Sequence, residues 1–164
     1  MPLKKTIKRA RKDKREGKSA STQAGEFVRE EIENIRKGKH GVRNVRQAIA
    51  IGLSMARRAG VKLPAPEKGK APEKTRQQAK RELKRAASGP KKPSPKRSRA
   101  ALKALKREST RPASHKSLAR HAATAASRRT AADRSASARK AARTKGPAVR
   151  SAAARKAART RAGS

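Results

Sequence analysis

"VRQAIAIGLSMARRAG", Val45 to Gly60, is the one compact apolar block in a chain otherwise built mostly of Lys, Arg, Ala, Ser and Pro. Its alternation, I-A-I-G-L-S-M, suits a strand, but no partner strand or hairpin turn accompanies it. Its ends suit a helix. Asn44 precedes the block and Gln47 follows three residues on, the spacing of a capping box in which side chains satisfy orphan backbone donors. Arg57 and Arg58 suit the negative pole of a helix dipole, and Gly60 suits the left-handed residue after a helix end. Val45, Ile49, Leu53 and Ala56 then form one stripe. The uncharged run Gln47 to Ala56 is about half of what a membrane crossing needs. The spacing therefore predicts a helix over 45–59. On it Ile49 and Ile51 lie about 200° apart, so both cannot face one core, and the one left outside is a candidate contact for a partner or a second copy.

Two further helices are expected upstream. One covers about 2–16, with Pro2 at its start, Leu3, Ile7 and Ala10 on one face, and Gly17 after its end. The other covers about 22–37, capped by Ser21 or Thr22 and ended by Gly38. Val28, Ile32, Ile35, Ile49 and Leu53 are the expected core. Of the large apolar residues Ile, Leu, Val, Met and Phe, 15 fall in residues 1–63 and only 5 in 64–164, while the two parts carry net charges of +12 and +26. The expected fold class is all-α. It comprises a small three-helix head (1–63), a Pro/Lys-rich linker (64–99) and an Ala/Arg/Lys-rich tail (100–164) that is disordered when free, with transient helices. The basic turn "KGKHGVRN", 37–44, between the second and third helices loosely fits a helix-turn-helix, with Arg46, Ala50, Ser54 and Arg57 outward.

The net charge of +38 over 164 residues implies a polyanionic partner. With no Trp or Tyr and Phe27 as the single aromatic, stacking platforms for single-stranded bases are excluded. With no Cys there is no disulfide or thiolate metal site. His40, His115 and His121 are scattered and read as solvated. Glu26, Glu30, Glu31 and Glu33 form the one acidic cluster; Glu30 and Glu33 read as surface partners for Arg29, Arg36 and Lys37, or as a dock for the chain's own basic tail. The glycines match neither a P-loop nor a dinucleotide fingerprint. No catalytic residue, metal site or cofactor is expected, and no enzymatic activity. The basic N-terminus lacks the apolar segment of a secretory signal, which together with the missing membrane span suggests a cytoplasmic protein.

The tail repeats itself: "RKAARTK", 139–145, returns as "RKAARTR", 155–161. Within "SGPKKPSPKRSR", 88–99, the unit Ser94-Pro95-Lys96-Arg97 can form a turn that brings two cations together for the narrow minor groove of A·T-rich DNA. The expected nucleic-acid contacts are Arg43, Arg46, Arg57 and Arg58 in the head, and Lys96, Arg97, Arg139, Lys140, Arg143, Arg155, Lys156 and Arg159 beyond it.

Residues 22–63 resemble an uncharacterised family of small basic bacterial and phage proteins. The resemblance is carried by Gln47, Ala48, Ile49, Ala50, Ile51, Leu53, Ser54, Ala56, Arg57, Ala59 and Gly60, in the pattern QAIAIxLSxARxAG. It implies no catalytic residue. The tail resembles the alanine/lysine-rich tails of bacterial histone-like proteins, and the Ser-Pro-Lys-Arg unit resembles those of linker histones. The expectation is a nucleoid-associated DNA-binding protein acting through phosphate and minor-groove contacts. RNA or ribosome association, or an adaptor that docks a protein through its head, are the alternatives.

Overall fold

A computed structural model describes residues 2–69, 71–89 and 94–162. Among these, regular structure is helical throughout: α1 (Lys4–Arg15), α2 (Ala20–Arg36), α3 (Val45–Arg58), α4 (Glu73–Ala87), α5 (Pro95–Lys106), a 3-10 turn at Arg111–Ala113, α6 (His115–Ser127) and α7 (Ala131–Ala162). The chain divides into two compact units, 1–118 and 119–164.

Local chemistry sets the three N-terminal helices. Ser19 accepts the Thr22 N–H and so caps α2, two residues before Ser21 and three before Thr22. Asn44 Oδ1 accepts the Gln47 N–H at 2.9 Å, while Gln47 Oε1 reaches back to the Arg43 N–H at 2.7 Å, one residue before the cap. At the other end of α3, Gly60 takes φ +91° and the Val61 N–H returns to Ala56 O at 3.0 Å. Val61 is thereby buried against Ala56.

The seam between α2 and α3 holds the centre of the fold. The buried positions of α3 are Ala48, Gly52, Ala56 and Arg57, one step round the helix from the expected stripe. Small residues four apart let the backbones approach. A Cβ placed on Gly52 would lie 2.6 Å from Val28 Cα. Around this seam sit two clusters. Ala10, Ala24, Phe27, Ala56 and Val61 form one, with Ile7, Leu53 and Met55 beside it. Ile35, Val42, Ala48 and Ala113 form the other, with Ile32 and Ile51. Of the expected core, Ile35 is fully buried, and Val28, Ile32, Ile49 and Leu53 are half-buried. Neither Ile49 nor Ile51 is left exposed.

Two later segments complete this unit. α4 packs on α3, with Ala79 and Glu82 buried. The stretch from Leu105 to Ala113 docks on the α2–α3 loop. Gly41 N–H donates to Leu105 O at 3.0 Å, Val42 N–H to Ser109 O at 2.9 Å, and Arg36 Nε to Ala113 O at 2.7 Å. Gly41 has no side chain because Glu108 O fills the space a Cβ would take.

The expected disordered tail is corrected: residues 131–162 are helical. Charge density argued for an open chain, yet helical hydrogen bonds are local and need no core, and Ala, Arg and Lys are among the strongest helix formers. A capping box starts α7. Thr130 Oγ1 accepts the Asp133 N–H at 3.1 Å, and Asp133 Oδ2 accepts the Thr130 N–H at 3.3 Å. Gly146, at φ +68°, and Pro147 kink the helix between the two copies of the repeat.

Candidate nucleic-acid interface

The acidic side chains of the first unit are largely used internally. Glu26 lies 3.5 Å from Arg9 and 3.7 Å from Arg29. Buried Glu30 accepts the Leu3 N–H with both oxygens, at 3.0 and 3.1 Å. Glu31, also buried, faces His40 Nε2 at 3.5 Å. Buried Glu30 is not the surface partner expected from sequence, and His40 is half-buried, not solvated. Because His40 Nδ1 sits 3.1 Å from Gly41 O, it donates there, so the Nε2–Glu31 contact is favourable only with a proton between the two. Burial pushes the Glu31 carboxyl above its ordinary range; His40 pulls it partly back, and Glu30 adds to the rise.

Arg57, expected among the nucleic-acid contacts, is instead buried and used inside the fold. It is 7% exposed. Its guanidinium lies 3.5 Å from Glu82 Oε2 and donates to Leu63 O at 3.3 Å and Pro64 O at 3.5 Å. Ser54, also expected outward, donates to Glu82 Oε1. Glu82 thus gathers both residues onto α4, and the face of α3 expected to look outward is half covered. Arg46 and Arg58 remain exposed, Arg58 Nε reaching Ser54 O at 3.3 Å. Arg43 is exposed and pairs with Glu108 at 3.7 Å.

Ser94-Pro95-Lys96-Arg97 is not a free turn. Pro95 takes the first position of α5, and Ser98 N–H bonds Ser94 O at 2.9 Å, the arrangement that proline's fixed φ and missing N–H favour. Residues 90–93 of the same motif lie outside the described residues. Lys96 and Arg97 are exposed on the first turn of α5. Sequence reasoning passed over Arg99, Lys103, Lys106 and Arg107, all exposed on or just after the same helix. Successive 100° steps place Lys96, Arg99, Lys103, Lys106 and Arg107 within about 100° of each other, in a row about 16 Å long. Their spacing of three, four, three and one was the signal that could have found them. No acidic residue occurs between Glu82 and Glu108.

α7, in the second unit, carries Arg139, Lys140 and Arg143 before the kink and Arg155, Lys156 and Arg159 after it, all exposed. Asp133 is its single acid. Among the described residues, no cluster of three or more His, Cys, Asp or Glu could hold a metal ion, and no helix is long and apolar enough to cross a membrane.

A family of unknown function, DUF6496, matches residues 4–68, which span α1 to α3 and include the Gln47–Gly60 motif. No curated protein and no solved structure matches the chain.

Proposed function

We infer that this protein is a non-enzymatic, histone-like binder of duplex nucleic acid, DNA foremost, that works through phosphate neutralisation on the bacterial nucleoid. The observation that carries the reading is α7, two helical stretches joined at the Gly146–Pro147 kink over 32 residues, with no buried side chain, ten Lys and Arg, and one acid. Such a surface has no core to serve, and its charge is matched by a polyanion. Phe27, the one aromatic side chain, is buried at 1% exposure. Base stacking on single strands therefore has no platform, which favours duplex. The similarity of the tail to alanine/lysine-rich histone-like tails supports the same reading.

Binding of the purified chain to duplexes of several sequences, across a salt series, tests it. With about ten phosphates held, log K falls against log salt with a slope near −9 and depends little on sequence. A flat salt dependence would sink the mechanism. Preferential retention by structured RNA over DNA in competition would move the assignment to RNA.

A further inference from the structure

We propose that α5 enters the major groove of duplex DNA and fixes the orientation of the first unit on it, an inference that rests on the duplex-binding reading. α5 has no buried residue. It is held near its C-terminal end, through Leu105 O and Ser109 O accepting from Gly41 and Val42, so its N-terminal turns stand clear. An α-helix with its side chains is about 10–12 Å across, which matches a major groove about 12 Å wide and not a minor groove of about 6 Å. The row Lys96, Arg99, Lys103, Lys106 and Arg107 occupies one flank. The next flank, 40° to 140° round the helix from Lys96, carries Ala100, Ala101 and Ala104, with the exposed Arg97 among them at its N-terminal end, where its guanidinium can reach a base edge or phosphate. With these small side chains on the groove floor, where methyl groups can meet thymine methyls, the cation row faces the phosphates of one wall. With Ser94 before the helix and Pro95, Lys96 and Arg97 in its first turn, the unit does not form the minor-groove turn that its sequence suggests. A double-stranded RNA would not accept α5 this way, because its major groove is deep and narrow.

Dimethyl sulfate footprinting reads the two grooves separately, at guanine N7 in the major groove and adenine N3 in the minor. The full chain is compared with two variants on the same DNA duplex. One carries Lys96, Arg99, Lys103, Lys106 and Arg107→Gln. The other carries Arg139, Lys140, Arg143, Arg155 and Lys156→Gln, which removes the same charge from α7. Gln keeps helix propensity close to that of Lys and Arg, and retained circular dichroism with retained exchange protection of the Gly41 and Val42 amides checks the fold. Guanine N7 protection is expected in the native chain and the α7 variant and lost in the α5 variant. If three of the five cations each hold a phosphate, the salt slope of the α5 variant shrinks by about 2.7. A fourfold rise in salt then weakens it about 40-fold less than the native chain. Native binding that leaves N7 open, or N7 protection that survives the α5 substitutions, overturns the groove assignment while duplex binding stands. Failure of the native chain to bind DNA at all overturns both.

Discussion

Replacing Gly52 with alanine tests the claim that close backbone approach, not bulk, holds the α2–α3 seam. The new Cβ would meet Val28 Cα at 2.6 Å, Val28 N at 2.9 Å and Val28 Cγ2 at 2.9 Å. Carbon atoms in good contact sit about 3.5–4.0 Å apart, so the helices must part by about 1 Å along the seam. Two of the three obstructing atoms are main chain and cannot rotate away. Overpacking of this kind costs about 1–3 kcal/mol, and here the upper end applies. The methyl returns about 1 kcal/mol of helix propensity, leaving a net loss of about 2 kcal/mol, or a roughly 30-fold larger open fraction. Gly25 supplies the control. It lies inside α2 with nothing within 4 Å of its Cβ position, so Gly25→Ala should stabilise by about 0.5–1 kcal/mol. Native-state hydrogen exchange at α2 and α3 amides reads both variants. Faster exchange in Gly52→Ala and slower exchange in Gly25→Ala is the expected pair. Shifts of the same sign would refute the close-packing argument.

Three other predictions follow from buried groups and the docked segment. Glu82→Leu strands the Arg57 charge and should cost about 3–5 kcal/mol in urea denaturation, whereas Arg57→Leu combined with Glu82→Leu should recover most of it; an additive double variant would argue against the pair. Glu31 has a raised native pKa from burial, so the stability it contributes is full below its ordinary value of 4.5 and is lost as pH rises through the native value. Glu31→Gln should flatten that segment of the stability–pH curve, and identical curves would remove Glu31 as the source. Gly41→Ala places a methyl on Glu108 O and 2.7 Å from Ser109 O. Exchange protection should disappear at the Gly41 and Val42 amides while α1 to α3 keep theirs, and uniform loss across the unit would show that the docked segment is not separable.

The parts of the fold legible in sequence are those whose causes are local. Asn44 and Gln47 bracket the start of α3, Gly60 and Val61 close its end, and Gly17 and Gly38 follow α1 and α2 with positive φ. The helix boundaries come within two residues of expectation. The buried face of α3 is not legible from residue size, because its buried positions include Ala48, Gly52 and Ala56. Ala48 and Gly52 are small because they are central. Charge repulsion pointed to an open chain over 131–162, but the Thr130–Asp133 cap and an alanine-rich composition outweigh it. Glu82 meets Arg57 across 25 residues of chain, and nothing periodic links the two. Among the nucleic-acid candidates, exposure could be read from composition for α7, but not the withdrawal of Arg57 or the placement of Pro95, Lys96 and Arg97 in the first turn of a helix.

Gly41 also has a consequence for the order in which the chain assembles. The α1–α2 and α2–α3 pairs are joined by short loops, whereas Gly41 finds Leu105 across more than sixty residues. Loop-closure entropy grows only slowly with length, but distant contacts form later than local ones. The segment carrying α5 is therefore expected to arrive last, on a surface already built. The atom that makes Gly41 necessary lies at Glu108, well past the end of the family match at residue 68. A chain stopped at 68 would leave Arg57 without Glu82, and Ile35, Val42 and Ala48 without the Ala113 that covers them. The matched region is in this sense an acceptor, and the later part of the chain brings its own ligand to it.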